Sequence, residues 1–158
     1  MNIILATIGS RGDVQPYIAL AHALEKAGHA TRIATLPWAK ELIESYGLKH
    51  IPVGESVKID EGTHAIINSS DSNLKGLFAA LHFIFDTLRQ CHADFMRIFP
   101  EADLIIGHGV TGIPEAEMLG KPYVFCSIET MGLPTLEHRS GIAVLDFFTN
   151  LPKKILKG

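Results

Sequence analysis

The sequence predicts an α/β domain of Rossmann-like, three-layer architecture, in which helices cover both faces of a mostly parallel sheet. Two observations lead to this prediction: short apolar runs alternate with segments of helical periodicity, and glycines end most of these segments. A chain of 158 residues fits one domain, and its 47% of hydrophobic residues is too high for an intrinsically disordered protein.

The first half of the chain predicts strand–helix–strand–helix–strand. The run from Asn2 to Ile8 is apolar and stops at Gly9, as expected of a strand buried on both faces. Apolar residues then recur every three or four positions until Gly28, which ends a helix. The predicted strands are 2–8, 31–36 and 48–53, and the predicted helices are 14–27 and 38–46. Helical crossovers between these strands imply a parallel sheet.

The second half continues the alternation after a long polar loop. The predicted elements are a loop at 54–71, a helix at about 73–99, a strand at 103–106, a helix at 112–119, a strand at 122–127, a loop at 129–140 and a helix at 142–156. We expect Cys126 to be a small core residue of the fifth strand. The long helix has an apolar stripe, which Phe83 and Ile84 make wider than one core face requires. The members of the stripe are Leu74, Leu77, Phe78, Leu81, Phe85, Leu88, Phe95 and Phe99.

Charge and cysteine content exclude several classes of protein. The net charge is −3, whereas a nucleic-acid-binding surface needs a basic patch. The chain has two cysteines, too few for a disulfide-rich secreted scaffold, so we expect a cytoplasmic protein. The richest apolar run, 77–85, is far shorter than the ~20 residues that a bilayer requires. Eight histidines show no metal-binding spacing, so we expect no metal site.

The most informative segment is the turn between the first strand and the first helix, Gly9 to Pro16. Ligands of an open parallel sheet bind beyond the carboxyl ends of its strands, and this turn lies there. It contains neither the dinucleotide fingerprint G-x-G-x-x-G nor a phosphate loop. The same geometry places Asp13 in the ligand cleft. His108 follows the fourth strand and opens onto the same edge.

At this turn the sequence resembles a known family. The segments that carry the resemblance are Gly9 to Leu20, Gly28-His29, Glu44 to Leu48, Pro52 to Gly54, Ala102 to Ile106 and Ala116 to Val124. Together they resemble the N-terminal, acceptor-binding domain of GT-B fold glycosyltransferases of family 28. The branch in question contains sterol glucosyltransferases, rhamnosyltransferases of glycolipid synthesis and glycopeptide-antibiotic glycosyltransferases. The resemblance covers about residues 1–127, and its opening twelve residues are highly specific.

The resemblance implies the inverting transfer of a sugar from a UDP- or TDP-sugar to an acceptor hydroxyl. It places Asp13 as the base that deprotonates the acceptor, and Ser10, Arg11 and the Gly12 amide facing the donor diphosphate. The acceptor binds this domain, and a lipid-like or other apolar acceptor fits the surplus of Phe, Leu and Ile. No metal and no cofactor are expected, because the nucleotide sugar is a co-substrate.

Each candidate residue also has a purely structural interpretation. Asp13 could be only the N-cap of the first helix, and His108 could be an exposed loop histidine or an acceptor-binding residue and the next candidate for the base. The acceptor-binding candidates on the long helix are His82, Phe83 and Phe85, which could equally belong to the core.

The family places its nucleotide-sugar site mainly in a second domain, and residues 1–158 have room for the acceptor-binding domain alone. We therefore expect this chain to act as part of a larger enzyme or beside a separate donor-binding chain, and not to be active by itself. The alternative is a non-catalytic module that binds a lipid or a partner protein. In either case we expect a location in the cytoplasm, with at most peripheral contact at the inner face of the membrane.

Overall fold

Five strands form one fully parallel sheet in the computed structural model, which describes residues 1–54 and 73–126. The strands are β1 (Asn2–Ala6), β2 (Ala30–Thr35), β3 (His50–Pro52), β4 (Leu104–Gly107) and β5 (Tyr123–Phe125). The helices are α1 (Arg11–Lys26), α2 (Lys40–Ser45), α3 (Asn73–Ile98) and α4 (Ile113–Met118), with 3₁₀ turns at Pro37–Ala39 and Phe99–Glu101. Residues Met1–Phe125 form one compact unit.

The order of the strands reverses beside β1. The sheet runs β3-β2-β1-β4-β5, so β1 lies between β2 and β4. The two crossovers predicted within the first 52 residues are confirmed by the parallel pairing of β1 with β2 and of β2 with β3. The carboxyl ends of β1 and β4 meet where Ala6 pairs with Gly107. This is the switch point at which open α/β sheets bind ligands.

Alternating residues of β1 supply the two faces of the core. Ile4 and Ala6 belong to a cluster with Phe95, Phe99 and Ala116, which come from α3, the turn after it and α4. Ile3 and Leu5 alternate with them and are also fully buried, as expected of a strand covered on both faces. The three-layer prediction is confirmed, because right-handed crossovers to strands on opposite sides of β1 place α1 and α2 on one face of the sheet and α3 and α4 on the other.

Several element boundaries differ from the prediction for local reasons. Helix α1 begins at Arg11 instead of residue 14, because Ser10 takes the N-cap position. The predicted helix at 38–46 is a 3₁₀ turn followed by α2, since Pro37 occupies the first position of that turn. Cys126 follows β5 and is half-buried, so its assignment to the core was wrong. The predicted loop at 54–71, apart from Gly54, and the elements beyond residue 127 lie outside the described residues.

Helix α3 is longer than the strands that it covers. Its 26 residues span about 39 Å at 1.5 Å per residue. Asp94, close to its end, already accepts a hydrogen bond from the amide of Gly54, just beyond β3. The turns before Asp94 therefore extend past the carboxyl edge of the sheet, the edge at which β1 and β4 meet.

The turns of α3 before Asp94, called the overhang below, explain an error in the predicted apolar stripe. Among the residues of α3 whose side chains the structure describes, the buried ones are Thr87, Cys91, Phe95 and Ile98. Phe78 and Phe85, seven residues apart on one face, are each 64% exposed, and so they are not core residues. The sequence pattern could not separate these two faces, because both are apolar. Of the helices within 1–54 and 73–126, none combines the length and the apolar character that a bilayer crossing needs.

Candidate functional site

The candidate site lies where the chain leaves β1 and β4. After β1 the chain passes through residues 7–10 into α1, and after β4 it turns directly into His108. The amide of His108 donates to the carbonyl of Ala6 at 3.2 Å, which joins the two strand ends. Two segments distant in sequence are thus brought to one point of the edge.

Asp13 is held in place by the residue that caps its helix. One carboxylate oxygen, Oδ2, accepts hydrogen bonds from the backbone amide of Ser10 at 2.6 Å and from its hydroxyl at 2.9 Å. Ser10 is therefore the N-cap, and Asp13 is the third helical residue, as in a capping box. The interpretation of Asp13 as the N-cap was wrong. The other oxygen, Oδ1, is directed towards β4.

His108 faces that second oxygen. Its Nε2 lies 3.7 Å from Asp13 Oδ1, and its side chain is only 12% exposed. The interpretation of His108 as an exposed loop residue is therefore wrong, because the Ala6 carbonyl draws its backbone into the edge of the sheet. The ring also meets the buried Tyr17 edge to face, with the ring centroids 6.3 Å apart.

The surroundings of His108 indicate which ring nitrogen carries the proton. Nδ1 is buried and has no hydrogen-bond partner among the described residues, whereas Nε2 faces a carboxylate. An N–H group at Nδ1 would lack an acceptor there, at a cost of about 1–3 kcal/mol. We therefore assign the proton to Nε2. In this tautomer His108 presents a donor to the site, and Asp13 presents an acceptor.

The separation of Asp13 and His108 is one that a single oxygen atom can bridge. A separation of 3.7 Å exceeds the length of an N–H···O hydrogen bond. An oxygen beside the gap can nevertheless lie about 2.8 Å from both atoms. A bound hydroxyl there would donate to Asp13 Oδ1 and accept from His108 Nε2.

The residues predicted to face a diphosphate begin α1. Both donors of Ser10 are used by Asp13 in this structure. Arg11 and Gly12 occupy the first two helical positions, where amides have no carbonyl four residues back within the helix. The Arg11 side chain is exposed. The roles of Ser10, Arg11 and Gly12 at a phosphate stay predictions.

The acceptor-binding candidates of α3 lie on the overhang. The side chain of His82 is 79% exposed and pairs with Asp86 at 3.0 Å. Phe85 is exposed, and Phe83 is half-buried. Within the described residues, no hydrogen bond or ion pair joins this group to Asp13 or His108. Their part in binding an acceptor also stays a prediction.

The sequence did not reveal several residues around the site. Tyr17 lies in the motif that carries the family resemblance, yet nothing local links it to His108. Tyr123 donates to the carbonyl of Thr111 in the turn after β4, at 2.8 Å. His92 Nδ1 contacts the buried carboxylate of Glu115 at 2.6 Å and so connects α3 with α4. Each pair depends on the order of the strands and not on a spacing along the chain.

The buried Cys91 and the half-buried Tyr123, both near this network, are held in their neutral forms. Burial, with smaller contributions from the charges of Asp94 and Glu115, raises the pKa of the Cys91 thiol to about 12. Burial, with a smaller contribution from Glu115, also raises the pKa of the Tyr123 phenol. At neutral pH, Cys91 is therefore an inert core thiol and not a nucleophile. Tyr123 remains a hydrogen-bond donor.

Comparison with known proteins decides the family. Residues 3–123 match the glycosyltransferase family 28 N-terminal domain. The chain belongs to glycosyltransferase family 28. Glycosyltransferase GtfC of Amycolatopsis orientalis is 30% identical over 141 residues, which cover 87% of this chain and 34% of that protein. A sterol 3-beta-glucosyltransferase of Sclerotinia sclerotiorum is 36% identical over 132 residues, which cover 78% of this chain and 9% of that protein.

Solved structures confirm the fold of this family 28 domain as that of GT-B glycosyltransferases. The Streptomyces glycosyltransferase SsfS6, complexed with thymidine diphosphate, has a TM-score of 0.57 at 18% identity, with 100% of this chain and 45% of that chain covered. The spinosyn forosaminyltransferase SpnP has a TM-score of 0.60 at 17% identity, with 100% and 42% covered. This family 28 chain thus spans less than half the length of the relatives described here.

Proposed function

We propose that this domain is the acceptor-binding half of an inverting, metal-independent glycosyltransferase. It would transfer a sugar from a UDP- or TDP-sugar to a hydroxyl of an apolar or lipid-like acceptor in the cytoplasm. The observation that carries the proposal is the meeting of Asp13 and His108 at the switch point of the sheet, 3.7 Å apart. A second domain, on the same chain or on a partner, would supply the nucleotide-sugar site.

Asp13 acts as the general base. The hydrogen bonds from Ser10 use Oδ2 and fix the rotation of the carboxylate, so Oδ1 is the oxygen available to a substrate. Oδ1 takes the proton of the acceptor hydroxyl while the acceptor oxygen attacks the anomeric carbon. The bond from that carbon to the diphosphate breaks, and the nucleoside diphosphate leaves with the electron pair. General base catalysis of this kind typically contributes about 10²–10⁴ in rate.

His108 positions the acceptor hydroxyl. Its Nε2–H group donates to the acceptor oxygen, and the hydroxyl proton then points to Asp13 Oδ1. A two-point contact of this kind limits the rotation of the hydroxyl and favours the geometry of attack. The ring is only 12% exposed and meets Tyr17 edge to face, which limits its freedom to leave this position.

The first turn of α1 faces the leaving group. The amides of Arg11 and Gly12 and the positive end of the dipole of a 16-residue helix would stabilise the developing charge of the diphosphate. The exposed Arg11 side chain adds a cation. These groups provide a charge stabilisation that needs no metal at this end of the cleft.

The overhang of α3 provides an apolar wall for the acceptor. Phe78, Ile84 and Phe85 are all exposed. They come before Asp94 in α3 and so lie in the part of the helix that extends beyond the carboxyl edge of the sheet. Exposed aromatic residues beyond the ligand-binding edge of the sheet favour an apolar ligand, and the pair of His82 and Asp86 adds a polar contact among them. The glycosyltransferase relatives named above include a sterol 3-beta-glucosyltransferase, which supports an acceptor of this class.

The direct test is a glycosyl-transfer assay of the full-length protein, supplied with its donor-binding half if this is a separate chain. UDP- and TDP-sugars are combined with sterol, lipid and phenolic acceptors. We expect an apolar acceptor to be glycosylated with inversion at the anomeric carbon. Transfer to hydrophilic sugars alone would contradict the proposed acceptor class. Binding of lipid without any transfer would contradict the enzyme assignment.

Asp13→Asn tests the base. Asparagine retains an oxygen that can accept both hydrogen bonds from Ser10, so we expect the melting temperature to stay within a few degrees while kcat falls about 10²–10⁴-fold. Asp103→Asn is the matched control, because Asp103 also accepts a backbone hydrogen bond, from Asn2 at 2.7 Å, and lies at the opposite edge. Turnover of Asp13→Asn within a few-fold of the native protein would show that the base lies elsewhere.

A further inference from the structure

The turn that begins at His108 is held by a hydrogen bond from β5, the strand on the other side of β4 from β1. His108 begins a four-residue turn that closes when the amide of Thr111 donates to the carbonyl of His108 at 2.9 Å. Thr111 is buried, and its own carbonyl accepts the hydroxyl of Tyr123 at 2.8 Å. Tyr123 belongs to β5, the neighbour of β4 on the side away from Asp13.

The phenol of Tyr123 also occupies the space above Gly107. A Cβ atom at position 107 would collide with the Tyr123 hydroxyl, and it would lie 2.6 Å from the carbonyl oxygen of Thr111. Gly107 immediately precedes His108, and so the phenol contacts the chain on both sides of that residue. The ring itself packs against the core cluster, which fixes its position.

From these contacts we propose that Tyr123 is a positioning residue, which sets the place of His108 opposite Asp13 through the Thr111 carbonyl. The proposal rests on the proposed function, since the distance it controls is that between His108 Nε2 and Asp13 Oδ1. Without the hydroxyl, the turn loses its only described side-chain hydrogen bond and can move away from the cleft. A displacement of about 1 Å at a reacting group can lower a rate by up to about 10²-fold.

Two variants disturb this contact in different ways. Tyr123→Phe keeps the ring and its packing but removes the hydrogen bond, and Gly107→Ala displaces both the phenol and the Thr111 carbonyl by steric collision. We expect each to lower kcat by about tenfold and to leave the KM of the nucleotide sugar within about twofold. Tyr46→Phe is the matched control, because Tyr46 is exposed at the end of α2 and should leave kcat unchanged.

A double-mutant cycle separates positioning from a merely structural role. In a His108→Ala background, Tyr123→Phe should have no further effect on kcat, because its influence passes through the missing imidazole. An equal loss of kcat in both backgrounds would overturn the proposal. Melting temperatures of all variants, measured in the full-length protein, show whether any loss of kcat comes from unfolding.

A second readout does not depend on activity. In Tyr123→Phe the NMR resonances of the His108 ring should shift, whereas in Tyr46→Phe they should stay in place. Unchanged His108 resonances would overturn the positioning role even if kcat fell. If the resonances shift while Asp13→Asn remains active, the positioning of His108 is supported and the assignment of Asp13 as the base fails instead.

Discussion

Gly9 lies directly against the carboxylate of Asp13. A Cβ atom at position 9 would collide with Oδ2 and would lie 2.6 Å from Cγ, and the φ angle of Gly9 is +154°. Both the backbone conformation and the available space therefore exclude a side chain here. Position 9 must therefore be a glycine, because a residue without a side chain lets the Asp13 carboxylate come this close to the backbone.

Gly9→Ala should consequently remove activity by displacing Asp13. We expect kcat to fall by about 10² or more, together with a loss of stability of about 1–3 kcal/mol from the strained backbone. Gly28→Ala is the control, because Gly28 also has a positive φ of +86° but a Cβ there meets nothing within 4 Å. It should lose stability and keep its kcat, as measured by urea unfolding and turnover. Equal activity losses in the two variants would contradict this explanation.

The exposed phenylalanines of α3 should determine acceptor affinity. Phe78→Ser and Phe85→Ser should each raise the KM of an apolar acceptor about 5- to 30-fold, from the loss of about 1–2 kcal/mol of buried apolar contact. The KM of the nucleotide sugar should not change, and stability should change by less than about 0.5 kcal/mol, because both side chains are exposed.

Met118→Ser provides the comparison for these two variants. Met118 is 68% exposed, on α4, and lies outside the proposed wall. Its replacement should alter neither KM. If all three serine variants raised the acceptor KM alike, general surface hydrophobicity and not the overhang would be responsible.

His50 should make the domain less stable in acid. Burial lowers the pKa of His50, and it outweighs the opposing contributions of the Thr35 carbonyl and of Glu44. As the pH falls through about 6.5, the unfolded chain takes up a proton before the folded protein does, so the free energy of unfolding decreases. Above that pH both states are neutral at His50, and its contribution is constant.

His50→Gln should remove this part of the pH dependence. The glutamine amide can still donate to the Thr35 carbonyl, which His50 Nε2 contacts at 3.1 Å. Urea unfolding measures the free energy of unfolding of both proteins from pH 5 to 8. Above pH 7 the two values should run parallel. Below pH 7 the value for the variant should decrease less than the value for the native protein. Parallel curves throughout the range would contradict the effect of burial on His50.

The contact between His92 and Glu115 should stabilise the packing of α3 on α4. The Glu115 side chain is 8% exposed, so His92→Ala leaves a buried carboxylate without its partner, at a cost of about 1–3 kcal/mol. The double variant His92→Ala/Glu115→Gln should recover part of this loss, because no buried charge remains. Urea unfolding measures both. A double variant less stable than His92→Ala would show that the charge was not the cause.

The sequence was sufficient to place Asp13 and His108 on one edge, since both follow apolar strands and parallel strands end together. It could not give their separation, which depends on β4 lying directly beside β1. Nor could it give the capping role of Ser10, because the sequence allows a helix start at more than one residue. The face of α3 that enters the core was also misassigned, as Phe78 and Phe85 are as apolar as Phe95. Contacts such as that of Tyr123 with Thr111 have no local signature.

The central position of β1 has a consequence for the synthesis of the chain. Once residues up to Pro52 are made, β2 can pair with one side of β1, and β3 can pair with β2. The other side of β1 must wait for Leu104–Gly107. At about 5–20 residues per second, the intervening stretch of about fifty residues takes roughly 3–10 s. For that time a strand of apolar residues has an open edge, available to other chains. The nascent protein therefore passes through an aggregation-prone state before the edge that brings Asp13 and His108 together exists.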